Sequence, residues 1–150
     1  MILFLDFDGV LHPENCIPSD YFVHQNTLAY VLRTFKNLDL VISSTWRAKR
    51  NLNNLRALFL PTISQQIVGV TPLYSQLGDS VPETLLGYER EAECVAWLRQ
   101  NNRLTEQWLA LDDRAWNFRP FCKNLFLLDG RVGLNTKKAQ DLLFRLGGNA

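Results

Sequence analysis

The feature that most constrains this chain is a series of short apolar runs, each ending abruptly in polar residues. Ile2–Leu5, Leu38–Ile42, Trp108–Leu111 and Leu125–Leu128 are nearly unbroken, and Gln66–Val70 is a weaker fifth. Strands buried on both faces of a parallel sheet read this way, whereas half-exposed strands alternate. Helical stripes lie between the runs. Leu28, Val31, Leu32 and Phe35 follow one another at i, i+3, i+4 and i+7 from about Asn26. A second helix is expected over Ala48–Leu58 and is ended by Pro61. Glu89–Arg99 carries Ala92, Val95 and Ala96 on one face. Asn135 caps a last helix with Ala139, Leu142, Leu143 and Leu146, stopped by Gly147-Gly148. Thr71–Thr84 is rich in turn residues and takes no assignment. Strands alternating with helices predict a three-layer α/β fold, a doubly wound and mostly parallel five-stranded sheet, as one domain over residues 1–150.

In such sheets ligands bind beyond the carboxyl ends of the strands, so the residues closing each run carry the functional signal. The first run closes in Asp6-Phe7-Asp8-Gly9. If the extended period of two persists, both carboxylates point the same way, and a cation between them relieves their repulsion. A hard divalent ion such as Mg2+ suits oxygen ligands and also neutralises an incoming phosphate. Gly9 then permits the chain to turn away. The fourth run closes in a second acidic pair, Asp112-Asp113, and the second in Ser43-Ser44-Thr45, whose hydroxyls and N–H groups suit phosphate oxygens. Arg90, at the start of the helix before the fourth strand, supplies a cation.

Composition adds bounds. A formal charge of +1 over 150 residues names no polyanionic partner, so nucleic-acid binding would need a local patch. Cys16, Cys94 and Cys122 are odd in number and form no CxxC pair, which disfavours a disulfide framework or a zinc site. The apolar start stops after Leu5 without a basic region, too short for a signal peptide or a membrane span. A cytoplasmic protein without membrane association is expected.

Phe4-Leu5-Asp6-Phe7-Asp8-Gly9-Val10-Leu11 resembles the first motif of the haloacid dehalogenase (HAD) superfamily. Ser43-Ser44, Arg90 and Leu111-Asp112-Asp113 resemble its second, third and fourth motifs, in order. His12-Pro13, Ser44-Thr45-Trp46-Arg47 and Trp97-Leu98 bring the likeness closer to the compact HAD phosphatase domains of RNA-repair proteins. Asp112-Asp113-Arg114 is similar to the end of polynucleotide 3′-phosphatase domains. The resemblance implies a HAD-like, Rossmannoid fold with a minimal cap. It implies Asp6 as nucleophile and Asp8 as general acid and base. Mg2+ is then held by Asp6, the Asp8 backbone carbonyl, and Asp112 or Asp113. Ser44 and Arg90 steady the phosphoryl oxygens. It leaves open whether Ser43 or Ser44 holds the phosphate, though Ser44 keeps Trp46 and Arg47 in register. Arg90 stands where lysine is commoner.

With little room for a cap domain, the site is expected to be open to phosphorylated small molecules or nucleic-acid ends. Gly9, His12, Ser43, Thr45 and Arg47 are the expected substrate contacts. Arg47, Lys49 and Arg50 could grip a phosphodiester backbone or simply form a solvated face. The four tryptophans read as packing residues. The competing reading is a catalytically quiet HAD-like domain that binds a phosphorylated ligand or protein. A receiver domain is disfavoured because its phosphorylated Asp follows the third strand. Oligomeric state is not legible.

Overall fold

A computed structural model describes residues 1–148. Five strands, β1 (Ile2–Leu5), β2 (Asp39–Ile42), β3 (Ile67–Val70), β4 (Trp108–Asp112) and β5 (Leu125–Leu127), form one sheet in the order β3-β2-β1-β4-β5. Every pairing is parallel. The chain builds outward from β1 to β3 on one side, then returns past β1 to start β4 on the other. That reversal puts the topological switch point between β1 and β4, where a crevice opens at the strands' carboxyl ends.

Five helices complete the layers: α1 (Gln25–Thr34), α2 (Leu52–Arg56), α3 (Pro61–Ser64), α4 (Glu89–Gln100) and α5 (Thr136–Gly148). Leu3, Leu5, Leu40, Ile42, Leu109 and Leu111 point into one core, under residues of α1, α2, α3 and α5. Ile2, Phe4, Val41 and Ala110 point to the other face, under Cys94, Trp97 and Leu98 of α4. Strand residues of both parities are therefore buried, which is why the runs are unbroken in sequence. Phe4 meets Trp97 and Trp108 edge-on, at centroid distances of 5.9 and 5.5 Å.

Two expectations shift. The helix expected over Ala48–Leu58 is a single 3-10 turn, Thr45–Ala48, followed by the short α2. The Asn51 side chain accepts from the Asn54 N–H at 2.8 Å, and that cap restarts the helix late. Pro61, read only as a stop, occupies the first turn of α3, where its missing N–H costs nothing. At the other end, α5 extends to Gly148 and takes in the glycine pair expected to close it. Thr71–Thr84 contains 3-10 turns at Tyr74–Gln76 and Gly78–Ser80, and a third follows at Glu83–Leu85. No helix among the described residues is long and apolar enough to cross a membrane.

Candidate active site

Asp6 follows β1 directly, and its N–H still pairs with Leu111 O of β4 at 3.3 Å. The sheet register thereby sets Asp6 beside the Asp112-Asp113 pair. One carboxylate oxygen from each of the three lies within 4.8 Å of the others, and Asp6 and Asp112 are almost fully buried. Two glycines make room for Asp113. A Cβ on Gly9 would sit 2.2 Å from Asp113 Oδ2, and one on Gly130 would sit 2.4 Å from the same atom. Gly9 also adopts φ +77°, which L side chains avoid. Its turn and its smallness are both needed.

Arg90 crosses from α4 into this cluster. Its Nη1 lies 3.2 Å from Asp112 Oδ2 and 3.5 Å from Asp6 Oδ1, and its Nε lies 3.2 Å from Glu93 Oε1. Burial pulls the guanidinium down, but Asp6, Asp112 and Glu93 together outweigh it, so Arg90 stays charged. Burial, then the neighbouring Asp6, raises Asp112 to about 7 and Asp113 to about 6. Asp6 is raised too, by burial first, against the opposing pull of Arg90 and the Phe7 N–H.

Three carboxylates face one guanidinium here, leaving two negative charges uncompensated when all are ionised. Asp113 Oδ1 is buried without a hydrogen-bond partner. An all-oxygen donor set with two excess charges and an orphaned oxygen fits a hard divalent ion such as Mg2+. Asp6, Asp112 and Asp113 are the side chains that would hold it.

The carboxylate of Asp8 is not in this cluster. Because β1 ends at Leu5 and the chain turns at Gly9, the period of two lapses, and Asp8 points across the opening instead. Its Oδ1 meets His12 Nε2 at 2.7 Å, and its Oδ2 accepts from Trp46 Nε1–H at 3.0 Å. The expected pairing of the Asp6 and Asp8 carboxylates around one cation gives way to the triad, while the metal contact implied for Asp8 is through its backbone carbonyl.

The remaining expected residues divide. Ser43 and Ser44 are buried at the end of β2, where Ser43 N–H extends the ladder to Leu5 O. Ser44 Oγ accepts from Trp46 N–H at 3.3 Å, which leaves its own hydroxyl hydrogen to donate. The helix N-terminus expected after them is only one 3-10 turn, so no helix dipole reinforces those donors. Thr45 is exposed and lines a cavity of about 290 Å³ with Arg90, Glu93 and Asn117. Both ring nitrogens of His12 are engaged inside the protein, Nε2 with Asp8 Oδ1 and Nδ1 with the Phe22 N–H, so none is left for substrate.

Arg47 is the clearest correction. All five of its N–H donors are engaged within the protein. Nε donates to Thr71 O, Nη1 to Ser43 O and Ser44 O, and Nη2 to Pro72 O and Glu93 Oε2. No donor remains for a phosphate, so Arg47 pins the serine loop to the strand-three exit. Arg50, its expected companion, lies over the Trp46 ring at 4.8 Å.

Three residues escaped the sequence reading. Glu93 joins Arg90, Arg47 and the Tyr74 N–H, and its i+3 spacing from Arg90 was the available signal. Trp46, taken as packing, donates to Asp8. Gly130 gave no signal, because only the fold brings it against Asp113.

No curated protein and no solved structure matches the chain. The family model describing the HAD domain in Swiss Army Knife RNA repair proteins matches residues 2–139. With Asp6, Asp112-Asp113 and Arg90 gathered at the switch point of a parallel sheet, the chain belongs to this HAD family.

Proposed function

We propose that this chain is a Mg2+-dependent phosphomonoesterase working through an aspartyl-phosphate on Asp6. The observation that carries the reading is the nucleophile's position within three converging carboxylates, beside a buried arginine and across from a separately held Asp8. An Asp6 oxygen attacks phosphorus, the bond to the leaving oxygen breaks, and that oxygen takes the Asp8 proton. Asp8 then removes a proton from water, whose oxygen attacks the aspartyl-phosphate, releasing inorganic phosphate and regenerating Asp6. A bound Mg2+ supplies charge neutralisation between the carboxylates and the phosphoryl group. Arg90 Nη2 makes none of the ion-pair contacts above, which leaves that end of the fork for a phosphoryl oxygen, with the Ser44 hydroxyl as a second donor.

The segments bordering the opening are a loop and a string of 3-10 turns, so the substrate range includes nucleic-acid ends as well as small phosphomonoesters. A panel of phosphomonoesters containing 3′- and 5′-phosphorylated oligonucleotides, assayed with Mg2+ and with EDTA, tests the reading. Phosphate release that needs Mg2+ is expected, and release indifferent to EDTA would sink it.

A further inference from the structure

Asp8 is half-exposed at the mouth of the site, yet both of its oxygens are already held. Trp46 Nε1–H donates to Oδ2 at 3.0 Å, and His12 Nε2 approaches Oδ1 at 2.7 Å. On the far side of the imidazole, Phe22 N–H donates to Nδ1 at 3.2 Å. A ring nitrogen that accepts carries no hydrogen, so the hydrogen of His12 sits on Nε2 and points at Asp8. Phe22 reaches this position with φ +61°, an unusual backbone conformation for a bulky residue. The His12 backbone is fixed as well, its carbonyl accepting from Gly9 N–H at 2.9 Å. Tyr21, Phe22 and Trp46 rings surround the imidazole. A buried histidine with one tautomer dictated by a strained amide is a device for orientation.

We propose that His12 is the positioning residue of the general acid: with Trp46 it locks the Asp8 carboxyl plane, so that its proton can be delivered only into the adjoining cavity. That cavity, about 260 Å³, is lined by Asp8, Glu14, Asn15, Cys16, Tyr21 and Arg114. The leaving group therefore departs on this side, away from Arg90. The inference rests on the phosphomonoesterase reading and adds a substrate class to it. A sugar or other alkyl alcohol leaves as a strongly basic alkoxide and needs the proton, whereas a nitrophenolate leaves without it. His12 thus extends the enzyme to alkyl monoesters, the class that includes nucleic-acid ends.

The test compares wild type, His12→Ala, His12→Gln and Trp46→Phe on a 3′-phosphorylated dinucleotide and on p-nitrophenyl phosphate. For His12→Ala, kcat should fall about 100-fold on the dinucleotide and less than about fivefold on the aryl ester, with KM steady on both. His12→Gln, which keeps a donor, should recover much of the loss. Equal losses on the two substrates would overturn the role of His12 while leaving the phosphatase reading standing. A wild type inactive on both with Mg2+ removes that reading and this one together. A measurement that needs no variant of His12 guards against a folding artefact. The chain has two histidines, His12 and His24, so His24→Gln assigns the two-bond 15N–1H imidazole spectrum. A bare Nδ1 and a protonated Nε2 on His12 are expected, and the opposite tautomer would overturn the proposal.

Discussion

Around Asp6 the site has an ionic half and an aromatic half, and each holds its carboxylates by different means. On the ionic side, Asp6 and Asp112 pair with Arg90, which Glu93 links to Arg47, and Asp113 lies beside them. Buried charges there depend on one another, so removing any member strands its neighbours. On the aromatic side, Phe7 stands 5.4 Å from Phe22 and 5.5 Å from both Trp46 and Phe59, a neutral wall against which Asp8 is held by two N–H donors. The rings fix geometry without contributing charge. On the function proposed above, the ionic half acts on phosphate and metal, and the aromatic half aims a proton. Substitutions on the ionic side should cost the reaction outright, while those on the aromatic side should alter which substrates react.

The hardest blow to that division falls on Asp6, the proposed nucleophile. Asp6→Asn keeps an oxygen for the Phe7 N–H but cannot form the aspartyl-phosphate, so turnover should drop at least about 10⁴-fold with the circular dichroism unchanged. Near-normal phosphate release by this variant would remove Asp6 from the mechanism. Next come the two buried arginines. Arg90→Met should lower kcat about 10²–10³-fold, the scale of losing one preorganised charge donor, together with a stability loss because Asp6, Asp112 and Glu93 lose their shared cation. Arg47→Met, by contrast, strips the side-chain donor from the carbonyls of Ser43, Thr71 and Pro72 and one partner from Glu93, and should destabilise the fold by about 3–5 kcal/mol. Phosphate release and thermal unfolding on both variants separate the roles. Equal stability losses with equal rate losses would erase the distinction.

What the sequence disclosed about these halves was uneven for a physical reason. The strands were legible because burial on both faces of a parallel sheet demands unbroken apolar runs, and the acidic residues closing two of them marked the crevice. Asp112-Asp113 and Asp6 could be joined because strand order places their ends side by side. The function of Arg47 was misread, because a cation near a site looks the same whether its donors face solvent or backbone carbonyls. Asp8 was read as a partner of Asp6 because the extended period was carried past Leu5, where the turn at Gly9 ends it. Tyr74 N–H on Glu93, Phe22 N–H on His12 and Gly130 against Asp113 are backbone contacts made by the fold, and no spacing announces them.

A weaker effect, confined to the ionic half, should appear as linkage between protons and metal. Asp112 and Asp113, at about 7 and 6, bind protons more tightly in the folded chain than carboxylates do when unfolded, near 3.9. Their contribution is thus fully present below about pH 4 and is lost as pH rises through the folded values, so the metal-free protein should lose stability between pH 4 and 7. Mg2+ held by these carboxylates would displace those protons, and its stabilisation should grow over the same interval. Melting curves in EDTA and in 10 mM Mg2+, taken at pH 5 and pH 8, are expected to show a Mg2+-induced gain at least about 3 °C larger at pH 8, roughly 1 kcal/mol of added stabilisation. An equal gain at both would mean that the carboxylates are not the metal's ligands.

The smallest perturbation is a single methyl group, and it separates the metal site from the rest of the fold most cleanly. Gly130 has no left-handed backbone to lose, so alanine meets only a steric test there. Its Cβ would fall 2.4 Å from Asp113 Oδ2 and 3.0 Å from Glu14 Oε2, and Asp113 must rotate to escape. Gly69, on β3, is matched in crowding but not in place: its Cβ would fall 2.9 Å from Trp97 Nε1, against the α4 face of the sheet. Both variants carry an overpacking cost of about 1–3 kcal/mol. Only Gly130→Ala should also weaken Mg2+, raising the concentration for half-maximal activity about tenfold, while Gly69→Ala leaves it unchanged. The contrast turns on Asp113, which the methyl group on Gly130 meets first, whereas the one on Gly69 meets Trp97. If Gly130→Ala keeps the wild-type Mg2+ requirement, Asp113 lies outside the metal's reach, and the ionic half reduces to Asp6 and Asp112.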